Sequence, residues 1–253
     1  MRALLCLSLL WLVVSAVPVQ AEPLLFLTQD FPPFTYLIDD RPSGPGVEVV
    51  TSACRMEGLE CEVELLPWPR AQMLVREGEA HGLFLLGMNA EREKWLVFSK
   101  PIVRTGYAFF ERAGEGVLDS KGVVGLGQGS VGVYGPSNTS RSLAAFREEK
   151  GAKFRIDMTP DDEEAFKKLS WGRVDAVFSN SAVGKALVAK LHLTNVVPSM
   201  ACGHLNYYIA CSRDSDRQEE QRRFLDRVAD MVTNGTVDLI LARYYLEGEG
   251  GGE

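Results

Sequence analysis

Apolar and polar positions along this chain change period in a regular way. Short runs rich in Leu, Val, Ile and Phe alternate with longer stretches in which apolar residues recur every three or four positions. Leu24–Thr28, Glu62–Leu66, Leu83–Leu86, Tyr107–Phe110, Val123–Leu126, Lys153–Ile156, Ala176–Ser179 and Leu205–Ala210 read as strands. Val47–Met56, Ala71–Glu77, Ser140–Lys150, Asp161–Leu169, Arg217–Val232 and Val237–Tyr245 read as helices. In the fifth of these, Phe224, Leu225, Val228, Ala229 and Val232 fall at helical spacing. Asp161 or Asp162 is placed to cap the fourth, with acids in its first turn as the helix dipole favours. Pro32-Pro33 and Pro67-Trp68-Pro69 punctuate the connections. Strand and helix in alternation predict an α/β fold of βαβ units on a mainly parallel sheet.

The first apolar run is of another kind. Met1-Arg2 precedes Ala3–Val17, and Val19-Gln20-Ala21 follows. A basic start, a short apolar core and small residues at its end predict a secretory signal peptide over 1–21, cleaved near Ala21. The run is broken by Ser8, Ser15 and Pro18 and falls short of the ~20 apolar residues of a membrane span. Cys6 lies inside the apolar core rather than at its end, so it does not read as a lipoprotein acylation site. The expected mature protein is exported, with about 230 residues, enough for one large domain or two small lobes.

The formal net charge is -7, and the signal carries only Arg2, so the mature chain is one unit more acidic. Acidity with dispersed basic residues argues against nucleic acid and against docking on anionic lipid. Four cysteines remain after export, Cys54, Cys61, Cys202 and Cys211. An even number in an oxidising compartment suggests two disulfides. Three connectivities are open, and the local pairs Cys54–Cys61 and Cys202–Cys211 are favoured, the second through a turn at Gly203-His204. Neither spacing is that of a zinc knuckle, and none of His81, His192 and His204 stands at ligand spacing, so no metal is expected.

The most informative segment runs from Leu85 to Pro101, Leu-Leu-Gly-Met-Asn-Ala-Glu-Arg-Glu-Lys-Trp-Leu-Val-Phe-Ser-Lys-Pro. It puts Arg92 after a glycine-containing turn and ahead of Phe98-Ser99-Lys100-Pro101. Phe31-Pro32-Pro33-Phe34 follows the first apolar run, and Gly46-Val47-Glu48-Val49-Val50 opens the first helical segment. Trp68-Pro69-Arg70-Ala71 leads to Glu77-Gly78-Glu79-Ala80-His81-Gly82. Gly127-Gln128-Gly129-Ser130 and Gly172-Arg173-Val174-Asp175-Ala176-Val177 come later. Taken in order, these six blocks resemble the family 3 periplasmic solute-binding proteins, whose best-known members bind amino acids for ABC importers. The resemblance covers nearly the whole mature chain. It departs from the pattern at His81, where Asp is usual, and at Val50, where the second acid of the motif is missing.

That resemblance implies a two-lobed periplasmic binding protein type II fold, with a ligand cleft between lobes joined by two crossing strands. Residues 22–108 and 205–246 would form one lobe and 109–204 the other. The Gly/Glu tail 247–253 is expected to be disordered. It also implies the site. Arg92 would fork onto a ligand carboxylate, since a planar guanidinium offers paired donors. Gly87 stands where the family often has Ser or Thr and leaves only a backbone N–H. Phe31 and Trp68 stand where family aromatics sandwich the ligand. Ser130 would donate to the carboxylate from the second lobe. Arg70 either adds charge to the cleft or pairs on the surface with Glu64 or Glu77. Asp175 reads as a structural acid. Asn180 stands where amino-acid binders usually carry the Asp that pairs with the α-ammonium. An amide offers no counter-charge, so the expected ligand is an organic acid, or an amino-acid derivative with a modified or displaced amine, unless another acid substitutes, with Glu48, Asp39 or Asp40 as candidates.

No nucleophile elbow and no Cys or Ser with a His in register appears, so no catalytic set and no cofactor are expected. The expected partners are a small carboxylate-bearing solute and an ABC permease, with the protein a periplasmic monomer. Two other functions stay open. One is a sensor presenting its ligand to a receptor. The other is an enzyme on the same scaffold, as in the cyclohexadienyl dehydratases, which need a cleft acid that only Glu48 or Glu111 offers in sequence.

Overall fold

The structure, a computed structural model, describes residues 22–116, 118 and 126–244. The segment 1–21 expected to be a signal peptide, residues 123–125 of the strand expected at Val123–Leu126, Tyr245 and the tail lie outside them. The first half of the chain runs β1 (Leu24–Thr28), β2 (Tyr36–Ile38), β3 (Arg41–Ser43), α1 (Pro45–Glu57), β4 (Cys61–Leu65), α2 (Trp68–Arg76) and β5 (Gly82–Leu86). Then come α3 (Ala90–Glu93), β6 (Leu96–Phe98) and β7 (Val103–Arg112). The second half runs β8 (Ser130–Tyr134), α4 (Asn138–Glu149), β9 (Arg155–Thr159), α5 (Asp162–Ser170), β10 (Ala176–Asn180) and α6 (Ser181–Lys190). It ends with β11 (Val196–Ser212), α7 (Gln218–Thr233) and α8 (Thr236–Arg243).

Strands order as β4-β1-β5-β11-β7-β10-β8-β9, with β6 also on β11 and β2-β3 a separate hairpin. β1 is parallel to β4 and β5, and β8 is parallel to β9 and β10. Two parallel βαβ sets thus lie at the two ends of the order. They are joined through β7 and β11, which pair antiparallel from Val103↔Tyr207 to Val196↔Arg112. Beyond Tyr207, β11 continues onto β5 and β6, so one strand belongs to both lobes. Neighbours in the parallel strands face opposite sides. Phe26 packs on Phe224 of α7 at 4.5 Å between centroids, while Leu27 joins Ala71 and Val75 of α2. In the second lobe Phe109 meets Phe178, and Phe110 meets Phe166 of α5. Apolar runs without alternation are what strands covered on both faces require.

Local chemistry sets the helix ends. Pro45 opens α1 and Gly58, at φ 65°, closes it in the left-handed region that glycine tolerates. Asp161, not Asp162, caps α5 by accepting from the Glu164 N–H. The Cys54–Cys61 disulfide ties the end of α1 to the start of β4. The second expected disulfide does not form, and Cys202 and Cys211 are free thiols. Gly203 makes a bulge, not a turn: register shifts between Cys202 and Leu205 while β11 runs on for 17 residues. Nine residues of strand at about 3.3 Å each separate the two thiols, far beyond the ~7 Å between Cα atoms that a disulfide spans.

Candidate functional site

Open α/β sheets bind ligands beyond the carboxyl ends of their parallel strands. Here the ends of β1, β5, β8 and β10 converge there on one narrow recess of about 50 Å³. It is lined from the first lobe by Gln29, Phe31, Trp68, Gly87 and Arg92, and from the second by Tyr134, Ser137, Asn138, Asp162, Ser179 and Asn180. The recess meets an outer chamber of about 620 Å³, with which it shares Gln29, Phe31, Trp68, Tyr134 and Asp162. The inner volume holds a polar head group and little more. A larger group reaching into the recess would extend into the chamber.

Arg92 is 7% exposed. Its backbone N–H is fixed by the Asn89 side chain that caps α3. Its Nη1 donates to the Gly87 carbonyl at 2.6 Å and Nη2 to Gln72 Oε1 at 3.4 Å, and the guanidinium lies 5.3 Å from the Trp68 ring centroid. Every one of these partners is neutral, and among the described residues no carboxylate forms an ion pair with it. Burial, reinforced by Arg141 and Arg76, pushes its pKa down to about 10. A buried cation without a counter-ion is costly, and an anion in the recess relieves it.

The second-lobe wall differs from the sequence expectation. Ser130 is the first residue of β8 and does not reach the recess. Its N–H and hydroxyl donate to Asp175 Oδ2 at 2.6 and 3.0 Å. The loop that does reach it follows β8, at Gly135-Pro136-Ser137, and leads into α4. Arg70 is exposed on α2 and lines neither cavity. Glu48 is engaged by Arg243 and by the Tyr244 hydroxyl, Glu111 accepts from the Leu118 N–H, and Asp39 and Asp40 form the β2–β3 turn. None of these four acids reaches the recess.

Asn180 does line it, but with its hydrogen bonds already made. Its Oδ1 caps α6 through the N–H groups of Ala182 and Val183, and its Nδ2 donates to Thr105 and Tyr207 on the two crossing strands. The acid that faces the site is Asp162, the first residue of α5. Asp162 keeps part of its surface open to the cleft, and among the described residues its one hydrogen-bond donor is the Ser179 hydroxyl at 2.7 Å. Burial pushes its carboxyl up to about 6, Asp161 adds to the shift, and the Ser179 bond opposes it. Tyr134 and Tyr207 are phenols that feel its charge, and burial raises both. The sequence signal for Asp162 was present in the doubled acid Asp161-Asp162, where one caps the helix and leaves the other free. Glu163 in the chamber is neutralised by Lys167 and Lys190. Among the described residues no group of His, Cys, Asp and Glu could hold a metal, and no helix is long and apolar enough to cross a membrane.

A family model described as bacterial extracellular solute-binding proteins, family 3, matches residues 25–247. No curated protein matches in sequence. Among solved structures, the chain resembles a histidine kinase sensor domain with similarity to periplasmic binding proteins, at TM-score 0.75 and 21% identity over 89% of this chain and 97% of that one. It resembles the arginine-, lysine-, histidine-binding protein ArtJ of Geobacillus stearothermophilus at TM-score 0.75 and 17% identity, over 90% and 97%. It also resembles an ancestral amino acid-binding protein, a precursor of cyclohexadienyl dehydratase, at TM-score 0.72 and 19% identity, over 88% and 95%. At such identities the likeness speaks for the two-lobed type II fold.

Proposed function

The chain belongs to the bacterial extracellular solute-binding proteins, family 3, and on that premise we propose that it captures a small carboxylate-bearing solute for an ABC importer. The observation that carries the reading is Arg92, a buried guanidinium that faces a solvent-connected recess and has only neutral partners. A carboxylate entering the recess meets paired donors and the missing counter-charge at once. Phe31 and Trp68 supply the apolar wall on which the solute's body lies.

The charge balance assigns the solute a second feature. Asp162 lies across the recess from the first lobe and has no cation among its hydrogen-bond partners. It takes an ammonium in the place where Asn180 gives only dipoles. The solute is therefore an amino acid or a derivative that keeps a cationic nitrogen, which reverses the expectation drawn from Asn180. The same proposal includes export to the periplasm after cleavage near Ala21, action as a monomer, and lobes made of 22–108 with 205–246 and of 109–204. The similarity to a kinase sensor domain leaves the recipient as either a permease or a receptor, since both would read the closed form.

A second reading rests on one observation, the pKa of Asp162 near 6. A cleft acid titrating there is suited to proton transfer, and the enzyme precursor among the structural neighbours points the same way. Turnover of prephenate or arogenate by the purified protein would establish it. The binding reading is tested by a thermal-shift screen of amino acids, their derivatives and simple organic acids. The largest shift is expected from a compound with both a carboxylate and an amine. A screen in which carboxylates give no shift while other solutes do would overturn it.

A further inference from the structure

Among the described residues Leu85 is the one apolar side chain on a left-handed backbone, at φ 57°. It stands inside β5 and not in a turn. A bulky residue is seldom found there, because its Cβ crowds the following carbonyl.

The pairing of β5 shows what this conformation does. Phe84 lies opposite Ile209 and Leu86 opposite Tyr208, so β5 advances two residues where β11 advances one. Leu85 is the extra residue of a β-bulge. The side chains change phase with it. Phe84 and Leu85 both join the core on the α1 side, while Leu83 and Leu86 both join the core on the α2 side. Strict alternation would put Leu85 with Leu83 and Leu86 with Phe84. The bulge is held at both edges. Leu85 is 6% exposed, and a Cβ on Gly46 would meet its Cδ1, so its side chain rests on the first turn of α1. The ladder with β1 ends at Leu83, and the Thr28 hydroxyl donates to the Phe84 carbonyl at 2.9 Å. A strained backbone persists only where its surroundings over-determine it.

Two residues further on is Gly87, whose carbonyl accepts from Arg92 Nη1 at 2.6 Å. Successive carbonyls of a strand point to opposite edges, and a slip of one residue exchanges them. The bulge therefore decides which way the end of β5 presents Gly87. Leu85, Leu86 and Gly87 all line the recess. We propose that Leu85 is a positioning residue for the anion site: the extra residue it inserts into β5 turns the Gly87 carbonyl toward Arg92 and so aims the guanidinium into the recess. This rests on the carboxylate reading of Arg92. Without the bulge Leu86 would leave the α2 side, where Trp68 packs, and Arg92 would lose its backbone acceptor.

The test sets backbone preference against side-chain volume. Leu85→Ile keeps the volume, but a β-branched residue resists the left-handed region. Leu85→Gly removes the side chain and accepts that region freely. Each variant is titrated by calorimetry with L-arginine and with its carboxamide, L-argininamide. Leu85→Ile is expected to bind L-arginine about tenfold more weakly than the wild type, with little change for the amide. Leu85→Gly is expected to bind L-arginine more tightly than Leu85→Ile does, an order that a merely structural role would reverse. Leu83→Ile, on the regular part of β5, should bind as the wild type does. In thermal melts Leu85→Gly should lie about 2–4 °C above Leu85→Ala, the opposite of the order at Leu83. Wild-type affinity in Leu85→Ile, or Ala above Gly at position 85, would overturn the proposal. If the wild type binds neither probe, these compounds leave the proposed ligand class, and a denaturant cycle decides the role of Leu85. In Leu85→Ile, Arg92→Ala and the double variant, shifts in midpoint that do not add show that Leu85 acts through Arg92, and additive shifts overturn it.

Discussion

On the first-lobe wall of the cleft Arg92 is locked by a helix cap, a backbone carbonyl and an indole face. On the second-lobe wall Asp162 is held by a single hydroxyl and keeps some exposure. The two charges are opposite, neither has a counter-ion among the described residues, and burial pushes each toward its neutral form. The guanidinium stays charged through the physiological range even at a pKa of about 10, whereas the carboxyl at about 6 does not hold its charge in mild acid. The difference teaches that one wall is a fixed anchor and the other an adjustable partner. In the proposed reading the anchor sets whether a solute binds, and the partner sets which one and at what pH.

The sharpest way to break this comparison is to remove the anchor. Arg92→Ala is expected to weaken binding of any carboxylate about 100-fold or more, as loss of two charge-assisted hydrogen bonds at about 1.5–3 kcal/mol each implies. Arg92→Lys should restore only part, because a point charge lacks the fork. Calorimetric titration reads both, and an unchanged affinity in Arg92→Ala would remove Arg92 from the site.

Asp162→Asn should do less to affinity and more to selectivity. Binding of amine-bearing solutes is expected to fall about tenfold near neutral pH, while carboxylates without an amine bind as before. The wild-type affinity for the amine-bearing solute should fall as pH drops below about 6, and the variant should show no such fall. The stability of the empty protein moves the other way. The folded carboxyl has its pKa raised from 3.8 to about 6, so the folded chain binds more protons between those values. This group's contribution is full below the lower value and lost as pH rises through the upper one. Asp162→Asn is thus expected to stabilise the empty protein near neutral pH by about 1–3 kcal/mol, and not in acid, as thermal melts at the two pH values would show.

Asn180 supplies a contrast on the same wall. Its side chain ties α6 to Thr105 and Tyr207, so Asn180→Ala should lower stability by about 1–2 kcal/mol as the loss of a cap does. Asn180→Asp should change the affinity for amine-bearing solutes less than Asp162→Asn does. A larger effect at 180 would return the ammonium site to that position. The smallest test concerns the thiols. Denatured, unreduced mature protein should show two reactive thiols, Cys202 and Cys211, and not none.

The legibility of the two walls in sequence follows the same division. Arg92, Gly87, Phe31 and Trp68, which line the recess, were legible because each sits beside a local signal: a cap, a glycine, or prolines at a strand end. The alternation of strands and helices was readable for the same reason, since period and caps are local. The second-lobe wall depends on where a strand begins. Ser130-Val131-Gly132-Val133-Tyr134 is short and glycine-containing, and its pairing with β9 and β10 fixes it as a strand only through distant chain. The loop was therefore sought before this strand, at Ser130, instead of after it, where Ser137 and Asn138 line the recess. Cys202 and Cys211 misled similarly: a glycine between them allows a turn or a bulge, and the pairing of β11 with β7 decides for the bulge.

The most direct test of the central claim alters the solute and the anchor together. The compound with the largest thermal shift is titrated by calorimetry as its carboxylate and as its carboxamide, into the wild type and into Arg92→Ala. The account predicts that the amide binds the wild type about 100-fold more weakly, and that Arg92→Ala hardly distinguishes the two forms. An equal preference for the carboxylate in both proteins would show that the anion is held elsewhere.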